Sequence, residues 1–455
     1  MESIKSINPA TEEIIGDFEL DTEFIVKKKI RLSRKDFADW KSTSAFDRTM
    51  YLENVAGVLR EKKQELAEII TREMGKTITD SLAEVEKCAW LSEFFAMNVE
   101  GFLAAEFVET DAQTSGFLYE PMGTILNIMP WNFPFWQAMR AAIPALAAGN
   151  VILLKHSSDV PMCALEIEKV FCQAGLPPGA YQTLLIRGKE ASELISREEI
   201  NAVSLTGSSH AGKKVAAEAG RYMKKFVLEL GGSDPFIVLE DANVEKAAEE
   251  AVKARFQNAG QSCIAAKRFF VAESVAEDFT EKFVNRVGKL KVGDPMDPST
   301  QMGPLVNAKQ RQRLQEQVDK SLSMGADALL EGGSMEGEGF FYMPTVLTNI
   351  NENAPVLREE TFGPVAPIVT FADEREAVKL ANSTEFGLGA SVWTEDRDRA
   401  MTLIRDIQTG VIAINNMVAS DPRLPFGGVK KSGLGRELFR VGMQEFMQIK
   451  SLKVY

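Results

Sequence analysis

The feature that most constrains the fold is an alternation of short, mostly apolar strands with helices between residues 123 and 230. The runs GTILNIM (123–129), VILLK (151–155) and FVLEL (226–230) are too short for helices, and helical patterns lie between them. Strands that are apolar on both faces are typical of a parallel sheet covered by helices on both sides. The pattern therefore predicts an α/β domain of Rossmann-like architecture, which binds ligands at the carboxyl ends of its strands.

A second α/β stretch begins near FIVL (236–239) and continues to about residue 420. A chain of 455 residues is too long for one core, so two lobes are expected. Residues 1–22 read as short strands, and two long helices, over Phe46–Met74 and Thr79–Val99, are predicted before residue 107. The last residues, MQIKSLKVY, predict a strand that pairs with a partner subunit.

Composition narrows the classes of function. A net charge of −13 without a basic patch argues against nucleic-acid binding. No apolar run approaches the roughly eighteen residues that a membrane span needs, and the N-terminus lacks an apolar signal core, so a cytoplasmic protein is expected. Four scattered cysteines and two histidines have no metal-ligand spacing, so no metal site is predicted. We expect Cys163 and Cys172 to be core residues on a helix.

Cys263 is the first candidate for chemistry. It lies in FQNAGQSCIAAKR (256–268), between a glycine-containing turn and a probable strand. A thiol at the end of an element, near backbone N–H groups, has a lowered pKa and raised reactivity. The alternative is an ordinary buried cysteine, which is the commoner fate of a lone cysteine.

Glu229 is the second candidate, at the end of the strand FVLEL and directly before Gly231 and Gly232. A carboxylate in this position needs a partner or a role, and a glutamate with a raised pKa acts as a general base toward water. Asn132, in IMPWNFPFW (128–136), follows a strand and carries an amide that can donate to a developing oxyanion. The alternative for Glu229 is a carboxylate whose hydrogen bonds are satisfied at the end of the strand. The alternative for Asn132 is a side chain that hydrogen-bonds to the backbone of the turn.

Three further segments are predicted to be loops of defined conformation. SLTGSSHAG (204–212) offers a helix N-terminus to a phosphate group, with His210 as a residue of the helix start. REETFGPV (358–365) carries Glu360, which could bind a ribose hydroxyl, and PFGGVKKSGLGRE (425–437) is rich in glycine. The alternative for the last two segments is a pair of solvated turns.

Together these segments resemble the aldehyde dehydrogenase superfamily. The resemblance runs from NPATEE (8–13) to KKSGLGRE (430–437), with MPWNFPF, LLKHSS, LTGS, LELGGSDP, GQSC and EETFGPV between them in the family's order. It implies a cofactor-binding domain over 1–106 and 123–230, a catalytic domain over 231–424, and an oligomerisation element over 107–122 and 437–455. It also implies a homodimer or homotetramer, since closed symmetric assemblies are the norm.

The resemblance also implies roles for individual residues. Cys263 is expected to be the nucleophile, Asn132 with the Cys263 backbone N–H the oxyanion hole, and Glu229 the base that activates water for deacylation. The expected contacts to NAD or NADP are Trp131, Lys155, Ser158, Gly207, Ser208, Glu360 and Phe362. Lys155 is expected at the adenosine ribose, Ser208 at the pyrophosphate, and Glu360 and Phe362 near the nicotinamide.

One departure from the family pattern concerns the choice of cofactor. Many members have a glutamate at the position of Ser158, whereas this chain reads Lys155-His156-Ser157-Ser158. A carboxylate there would repel a 2′-phosphate, as acidic residues do in other dinucleotide-binding folds. Ser158 removes that repulsion, so NADP is expected to be accepted and preferred.

Arg140 indicates the substrate, because it lies in an otherwise apolar helix directly after Asn132. A guanidinium in that place attracts a carboxylate, and the alternative is an arginine that reaches an acidic neighbour. The local sequence resembles the branch of the family that acts on succinate semialdehyde, in which Arg140 and Ser420 would hold the distal carboxylate and Arg423 would assist. Other readings are a different aldehyde, such as glutarate semialdehyde or an aliphatic one, a thiol hydrolase, or a binding protein without catalysis.

Overall fold

The structure, a computed structural model, describes residues 2–455. Its helices are α1 Glu23–Trp40, α2 Ala45–Glu61, α3 Lys63–Met74, α4 Ile78–Leu103, α5 Pro134–Ala147, α6 Pro161–Gln173, α7 Gly188–Leu194, α8 Ser209–Arg221, α9 Val244–Phe256, α10 Ala276–Val287, α11 Ala308–Ser323, α12 Pro355–Arg358, α13 Glu374–Ala381, α14 Arg397–Leu403 and α15 Phe439–Gln444. Its strands are β1 Ser3–Ile7, β2 Ile14–Glu19, β3 Glu106–Phe107, β4 Thr114–Pro121, β5 Thr124–Met129, β6 Val151–His156, β7 Tyr181–Thr183, β8 Ala202–Thr206, β9 Lys225–Glu229, β10 Asp234–Val238, β11 Ala266–Ala272, β12 Asp327–Leu330, β13 Gly333–Ser334, β14 Tyr342–Met343, β15 Thr345–Thr348, β16 Val365–Phe371, β17 Gly389–Trp393, β18 Val411–Ile414, β19 Gly433–Leu434 and β20 Met447–Val454. The chain has the predicted α/β fold.

The first large sheet has six strands in the order β19-β9-β8-β5-β6-β7. The strands from β9 to β7 are parallel, as the apolar runs predict, and only β19 is antiparallel. The chain proceeds from β5 outward through β6 and β7, then returns to the other side of β5 for β8 and β9. Ligands of such sheets bind where the order reverses, at the carboxyl ends of the strands. Trp131 and Asn132 directly follow β5 at this point.

The second large sheet has seven strands in the order β12-β15-β16-β11-β10-β17-β18, and only β12 is antiparallel. Residues 230–233 are the whole connection from β9 to β10 and so join the two sheets. Cys263 lies shortly before β11, at the opposite strand end from the residues after β5. The short connection explains how Gly232 and the Cys263 loop come to pack together.

A third sheet, β20-β4-β3, is antiparallel and includes the last residues of the chain. One edge of β20 pairs along its length with β4 of the same chain. The expected pairing of the terminal strand with a partner subunit stays a prediction and concerns its other edge. The other edge of β20 is unpaired, and Ile449 on this strand is 65% exposed. Residues 438–446 pack instead into the core around α5.

The N-terminal helices differ in part from the prediction. The single helix expected over Phe46–Met74 is two helices, because Lys62 leaves the helical conformation between α2 and α3. The sequence analysis also missed α1, which Thr22 caps by accepting a hydrogen bond from the Ile25 N–H. The short strands expected in residues 1–22 are confirmed as β1 and β2. No helix within residues 2–455 combines the length and the apolar character that crossing a bilayer requires.

Helix α5 is buried on every side, as expected for a helix that is apolar all round. Its first turn has no cap from the preceding residue, and Glu84 of α4 supplies one: Glu84 Oε1 accepts hydrogen bonds from the Phe135 and Trp136 N–H groups, both at 2.9 Å. The other carboxylate oxygen of Glu84 pairs with Lys76 at 2.5 Å, and both side chains are almost fully buried. This pair therefore fixes the helix that carries Arg140.

Candidate active site

The loop that carries Cys263 begins with a sharp turn at the end of α9. Asn258 (φ 54°), Ala259 (φ 53°) and Gly260 (φ 71°) are successive residues in the left-handed region. Such a conformation costs a non-glycine residue about 1–2 kcal/mol. The Asn258 side chain stabilises the turn, because its Nδ2 donates to the carbonyls of Asn132 (2.8 Å) and Gln261 (3.2 Å). The turn thus joins the Cys263 loop to the segment after β5.

Two contacts hold the backbone of Cys263 itself. Lys267 is buried at the start of β11, and its Nζ donates to the carbonyl oxygens of Ser262 and Cys263, both at 2.7 Å. Gly232 lies so close that a Cβ there would be 2.6 Å from the Cys263 carbonyl oxygen. A glycine is therefore required at position 232, and the thiol has a fixed position between the two sheets.

The Cys263 side chain is partly exposed, yet its surroundings do not favour the thiolate in the absence of ligands. Burial raises the pKa of the Cys263 thiol to about 11, while Arg140 and Lys267 oppose the rise and Glu360 and Asp234 add to it. The expectation of a lowered pKa at the end of an element is therefore wrong, because burial outweighs the nearby cations. The thiol is protonated at neutral pH and has to lose its proton before it can act as a nucleophile.

Cys263 lines two cavities, which meet at its side chain. The first, here called the Arg140 cavity, has a volume of about 310 Å³ and includes Arg140, Lys87 and Ser420 in its walls. The second, the Trp131 cavity, has a volume of about 160 Å³ and lies at the carboxyl ends of the β5 and β8 strands. Gln137 also lines both cavities, so groups bound in the two cavities approach each other beside Cys263 and Gln137.

The Trp131 cavity collects most residues expected to bind a dinucleotide. Its walls include Trp131, Asn132, Gly207, Ser208, Glu360 and Phe362. The ring of Phe362 meets Trp131 edge to face, with 5.5 Å between centroids. Glu360 Oε1 accepts a hydrogen bond from the Gly232 N–H at 3.1 Å, and Ser208 caps α8 by accepting from the Ala211 N–H at 3.3 Å. Aromatic, anionic and helix-terminal groups thus face one space.

Asn132 lies next to the Cys263 loop as expected. Its Nδ2 donates to the carbonyl oxygen of Gln261 at 3.1 Å, two residues before the thiol. An amide NH₂ carries two protons, so the second can donate to an oxygen bound beside Cys263. The arrangement fits the oxyanion role, which stays a prediction.

Arg140 and Ser420 both line the Arg140 cavity, whereas Arg423 does not. Arg140 is almost fully buried, forms an ion pair with Glu437 and stacks over Phe426 at 4.6 Å. The alternative noted for Arg140, an acidic neighbour, is thus present, although its Nη2 has no hydrogen-bond partner among residues 2–455. Arg423 is exposed and pairs with Asp421 at 2.7 Å.

Glu229 is buried at the end of β9 and lines neither cavity. Neither carboxylate oxygen has a hydrogen-bond partner among residues 2–455. Burial, and then the neighbouring Glu437, hold the pKa of Glu229 well above its usual range, with Arg140 opposing them. The raised pKa agrees with the expectation of a general base, but the side chain would have to turn toward Cys263 to act there.

Lys155 and Ser158, at the end of β6, lie outside both cavities. Within residues 2–455 no carboxylate oxygen lies within 4.0 Å of Lys155 Nζ. Burial lowers the pKa of Lys155, and Asp159 and Glu190 oppose that shift from a greater distance. A half-buried ammonium without a paired carboxylate suits an anionic ligand such as a phosphate group.

The sequence analysis missed several residues of these walls. Lys87 of α4 lines the Arg140 cavity, Gln137 lines both cavities, and Gln310 and Arg313 of α11 line the Trp131 cavity. The sequence did carry a signal for Lys87. It is a lysine near Val85, Cys88 and Ala89 on a largely apolar helix, which indicates a partly buried side chain.

Two sequence readings concern residues outside these walls. Cys163 is buried as expected, but the prediction that Cys172 is a core residue is wrong, because it is exposed. His210 is the second residue of α8, as expected. Neither histidine lines either cavity.

Known proteins are similar to this chain over nearly its whole length. The sequence profile described as "Aldehyde dehydrogenase family" matches residues 1–452. A protein of Synechocystis sp. named probable succinate-semialdehyde dehydrogenase [NADP(+)] is 48% identical over 450 residues, 99% of each chain. The Escherichia coli succinate semialdehyde dehydrogenase [NAD(P)+] Sad is 45% identical over 98% of this chain and 97% of its own.

A solved structure gives the same result for the fold. The succinic semialdehyde dehydrogenase of Streptococcus pyogenes, in complex with NADP+, superposes with a TM-score of 0.97 at 34% identity over 99% of both chains. The profile match over nearly the whole chain and these similarities show that this chain belongs to the aldehyde dehydrogenase family.

Proposed function

We propose that this protein oxidises succinate semialdehyde to succinate with NADP+, through a thioester on Cys263. The observation that carries the proposal is the position of Cys263 where two cavities of different character meet. One cavity ends in cations and a hydroxyl group, and the other lies at the ligand-binding edge of a Rossmann-like sheet. The relatives named as succinate-semialdehyde dehydrogenases support the same substrate.

The Arg140 cavity suits a short aldehyde that ends in a carboxylate. The apolar residues Phe133, Trp136, Ile264 and Phe426 line this cavity together with the polar residues Arg140, Lys87 and Ser420. Asp80 and Glu84 also line it, and Glu84 is paired with Lys76. A carboxylate is costly to bury unless cations and hydrogen-bond donors surround it. An uncharged aldehyde would leave these donors without a partner, which disfavours it.

Cys263 begins the proposed reaction. Its thiol first releases its proton to solvent water. The thiolate then attacks the carbonyl carbon of the aldehyde, a carbon–sulfur bond forms as the carbonyl π bond breaks, and the carbonyl oxygen becomes an oxyanion. The free N–H of the Asn132 amide and the Cys263 backbone N–H donate to that oxygen, which gains more from them as its charge develops.

The residues of the Trp131 cavity would hold the nicotinamide end of the cofactor. A nicotinamide held there would supply the hydride acceptor, so that the oxyanion could re-form the carbonyl and leave a thioester on Cys263. Trp131 and Phe362 offer aromatic surface, Glu360 is an acceptor for ribose hydroxyls, and the α8 N-terminus with Ser208 faces the same space. These residue types fit the nicotinamide end of the cofactor.

Glu229 completes the proposed cycle. It takes a proton from water, the resulting hydroxide adds to the thioester carbonyl, and the Cys263 thiolate leaves as succinate forms. Its high pKa makes it a stronger base than an ordinary glutamate, and its oxygens have no partners among residues 2–455 that would hold it away from the thioester.

We also propose NADP+ rather than NAD+ as the preferred cofactor. Lys155 has a charge without a paired carboxylate, and Ser158 replaces the acidic residue that would repel a 2′-phosphate. The Synechocystis relative is named as an NADP+ enzyme and the Streptococcus pyogenes structure contains NADP+, which supports this choice.

The test compares succinate semialdehyde, glutarate semialdehyde and butanal, each with NADP+ and NAD+, by the rate of reduced-cofactor formation. The proposal expects the highest kcat/KM for succinate semialdehyde with NADP+. A kcat/KM for butanal equal to that for succinate semialdehyde would contradict the proposed substrate. Acid formation without any cofactor would instead indicate a hydrolase.

A further inference from the structure

Lys87 is a second cation of the Arg140 cavity. It projects from α4, and its Nζ donates a hydrogen bond to Ser420 Oγ at 2.9 Å. The same ammonium lies 4.3 Å from the centre of the Trp136 ring. No carboxylate oxygen within residues 2–455 lies within 4.0 Å of it. Lys87 is thus held in place by a hydroxyl group and an aromatic ring, and its charge has no paired anion.

Arg140 differs from Lys87 in this respect. Its guanidinium forms an ion pair with Glu437, and both side chains are only 2% exposed. The Glu437 charge offsets much of the attraction that Arg140 would exert on an incoming carboxylate, although the unpartnered Nη2 remains a hydrogen-bond donor. Of the two cations, Lys87 is the one whose charge the protein itself leaves without a paired carboxylate.

We propose that Lys87 is a specificity-determining residue, which binds the distal carboxylate of the substrate together with Ser420 and supplies most of the charge that recognises it. The inference rests on the proposed function, since it concerns the substrate of that site. Ser420 Oγ accepts a hydrogen bond from Lys87 Nζ, so its own hydroxyl proton is free to donate to a carboxylate oxygen. Arg140 adds a charge on the same wall, partly offset by its ion pair with Glu437.

The surroundings of Lys87 predict a dependence on pH. Burial, followed by the charge of Arg140, lowers the pKa of Lys87 to about 8, while Cys88 and Glu84 on α4 and Asp421 beyond Ser420 oppose the shift. Below pH 8 the ammonium is charged and attracts a carboxylate, and above pH 8 that attraction is lost. Because kcat/KM reports the free enzyme, the preference for a charged aldehyde should decline as the pH rises through 8.

The experiment measures the ratio of kcat/KM for succinate semialdehyde to kcat/KM for butanal. Dividing by the butanal value removes the titration of Cys263 and Glu229, which both substrates share. Lys87→Met keeps the length of the side chain and removes its charge, so the ratio is expected to fall about 10- to 100-fold. Lys87→Arg restores a charge that does not titrate near pH 8, and should give a ratio that is flat with pH. Lys189→Met, at a highly exposed lysine, is the control and should leave the ratio unchanged.

Each outcome decides the inference. A fall of the ratio in Lys87→Met, with thermal stability retained, supports it, and so does a wild-type ratio that declines through pH 8. A ratio within about twofold of wild type in Lys87→Met, with a large loss in Arg140→Met, would overturn it and assign the charge to Arg140. Failure of the proposed function is visible separately, because the wild-type enzyme would then show no preference for succinate semialdehyde over butanal.

Discussion

Cys263 shows how position and protonation are set by different neighbours. Lys267 and Gly232 fix its backbone, while burial governs the pKa of its thiol. A well-placed thiol that stays protonated is protected from oxidation and alkylation until a ligand or a base changes its surroundings.

The raised pKa predicts slow alkylation of the ligand-free enzyme. Because burial raises the pKa of Cys263 to about 11, its thiolate fraction should increase about tenfold per pH unit up to that value. Peptide mass spectrometry after brief iodoacetamide treatment at several pH values measures the rate at Cys263, with the exposed Cys172 as an internal reference. A rate at Cys263 that levels off below pH 9, the ordinary value, would contradict this environment.

Ser158 carries the prediction about the cofactor. Ser158→Glu places a carboxylate where a 2′-phosphate is expected, and like charges in contact cost several kcal/mol. The ratio of kcat/KM with NADP+ to that with NAD+ should fall by at least about tenfold. Ser158→Ala is the matched variant, and an equal fall with alanine would show that the hydroxyl group, not the missing negative charge, decides the preference.

Short motifs were enough to predict that Cys263 in GQSC and Asn132 in MPWNFPF belong to one site, and the structure brings these two segments together. The sequence could not show that Arg140 pairs with Glu437, because these residues are far apart in sequence and meet only through packing. Lys87 was missed because a single lysine on a helix is usually solvated, and its apolar neighbours on α4 did not show which residue it contacts, whereas the structure shows Ser420.

At the scale of elements, the buried pair of Glu84 and Lys76 is the main support of α5. Glu84→Ala removes the cap of two backbone N–H groups and leaves the Lys76 ammonium buried without its partner. Breaking a buried pair in this way costs about 3–5 kcal/mol, so the thermal midpoint should fall clearly.

Glu84→Gln is the matched variant for that prediction. It keeps an oxygen to cap α5 but removes the charge, so a loss smaller than that of Glu84→Ala is expected in differential scanning calorimetry. Equal midpoints for Glu84→Ala and wild type would show that α5 does not depend on this contact.

The elements themselves were predictable to the extent that their patterns are local. The parallel strands β5, β6, β8 and β9 follow from short apolar runs between helices. The break at Lys62 and the helix α1 were missed, because α1 buries only a narrow stripe among many charged residues and Lys62 itself is no helix breaker.

At the scale of the whole molecule, the connection from β9 to β10 explains the site. Along the chain, residues 230–233 connect β9 of the first sheet to β10 of the second. The Cys263 loop before β11 packs on Gly232 of this connection and faces the segment after β5. The order of motifs along the chain predicted which residues belong to the site, but the distances between them depend on this packing. The division into cofactor-binding, catalytic and oligomerisation parts stays a prediction.

The open edge of β20 predicts an assembly. An exposed strand edge with apolar residues such as Ile449 is a surface on which a second copy can pair. We therefore expect a homodimer or homotetramer, and Ile449→Lys should shift it toward smaller species in size-exclusion chromatography with light scattering. Met401→Lys, at an exposed methionine of α14, should leave the assembly unchanged. A monomeric wild-type protein would contradict the expectation.

The central claim is that an aldehyde becomes a thioester on Cys263, and one measurement tests it most directly. Reduced-cofactor formation is followed with succinate semialdehyde and NADP+ for the wild-type enzyme and for Cys263→Ala, with circular dichroism to verify that both are folded. The account predicts rapid turnover by the wild type and a loss of at least about 10⁴-fold in kcat for the variant. Turnover by Cys263→Ala at a rate close to that of the wild type would contradict the mechanism.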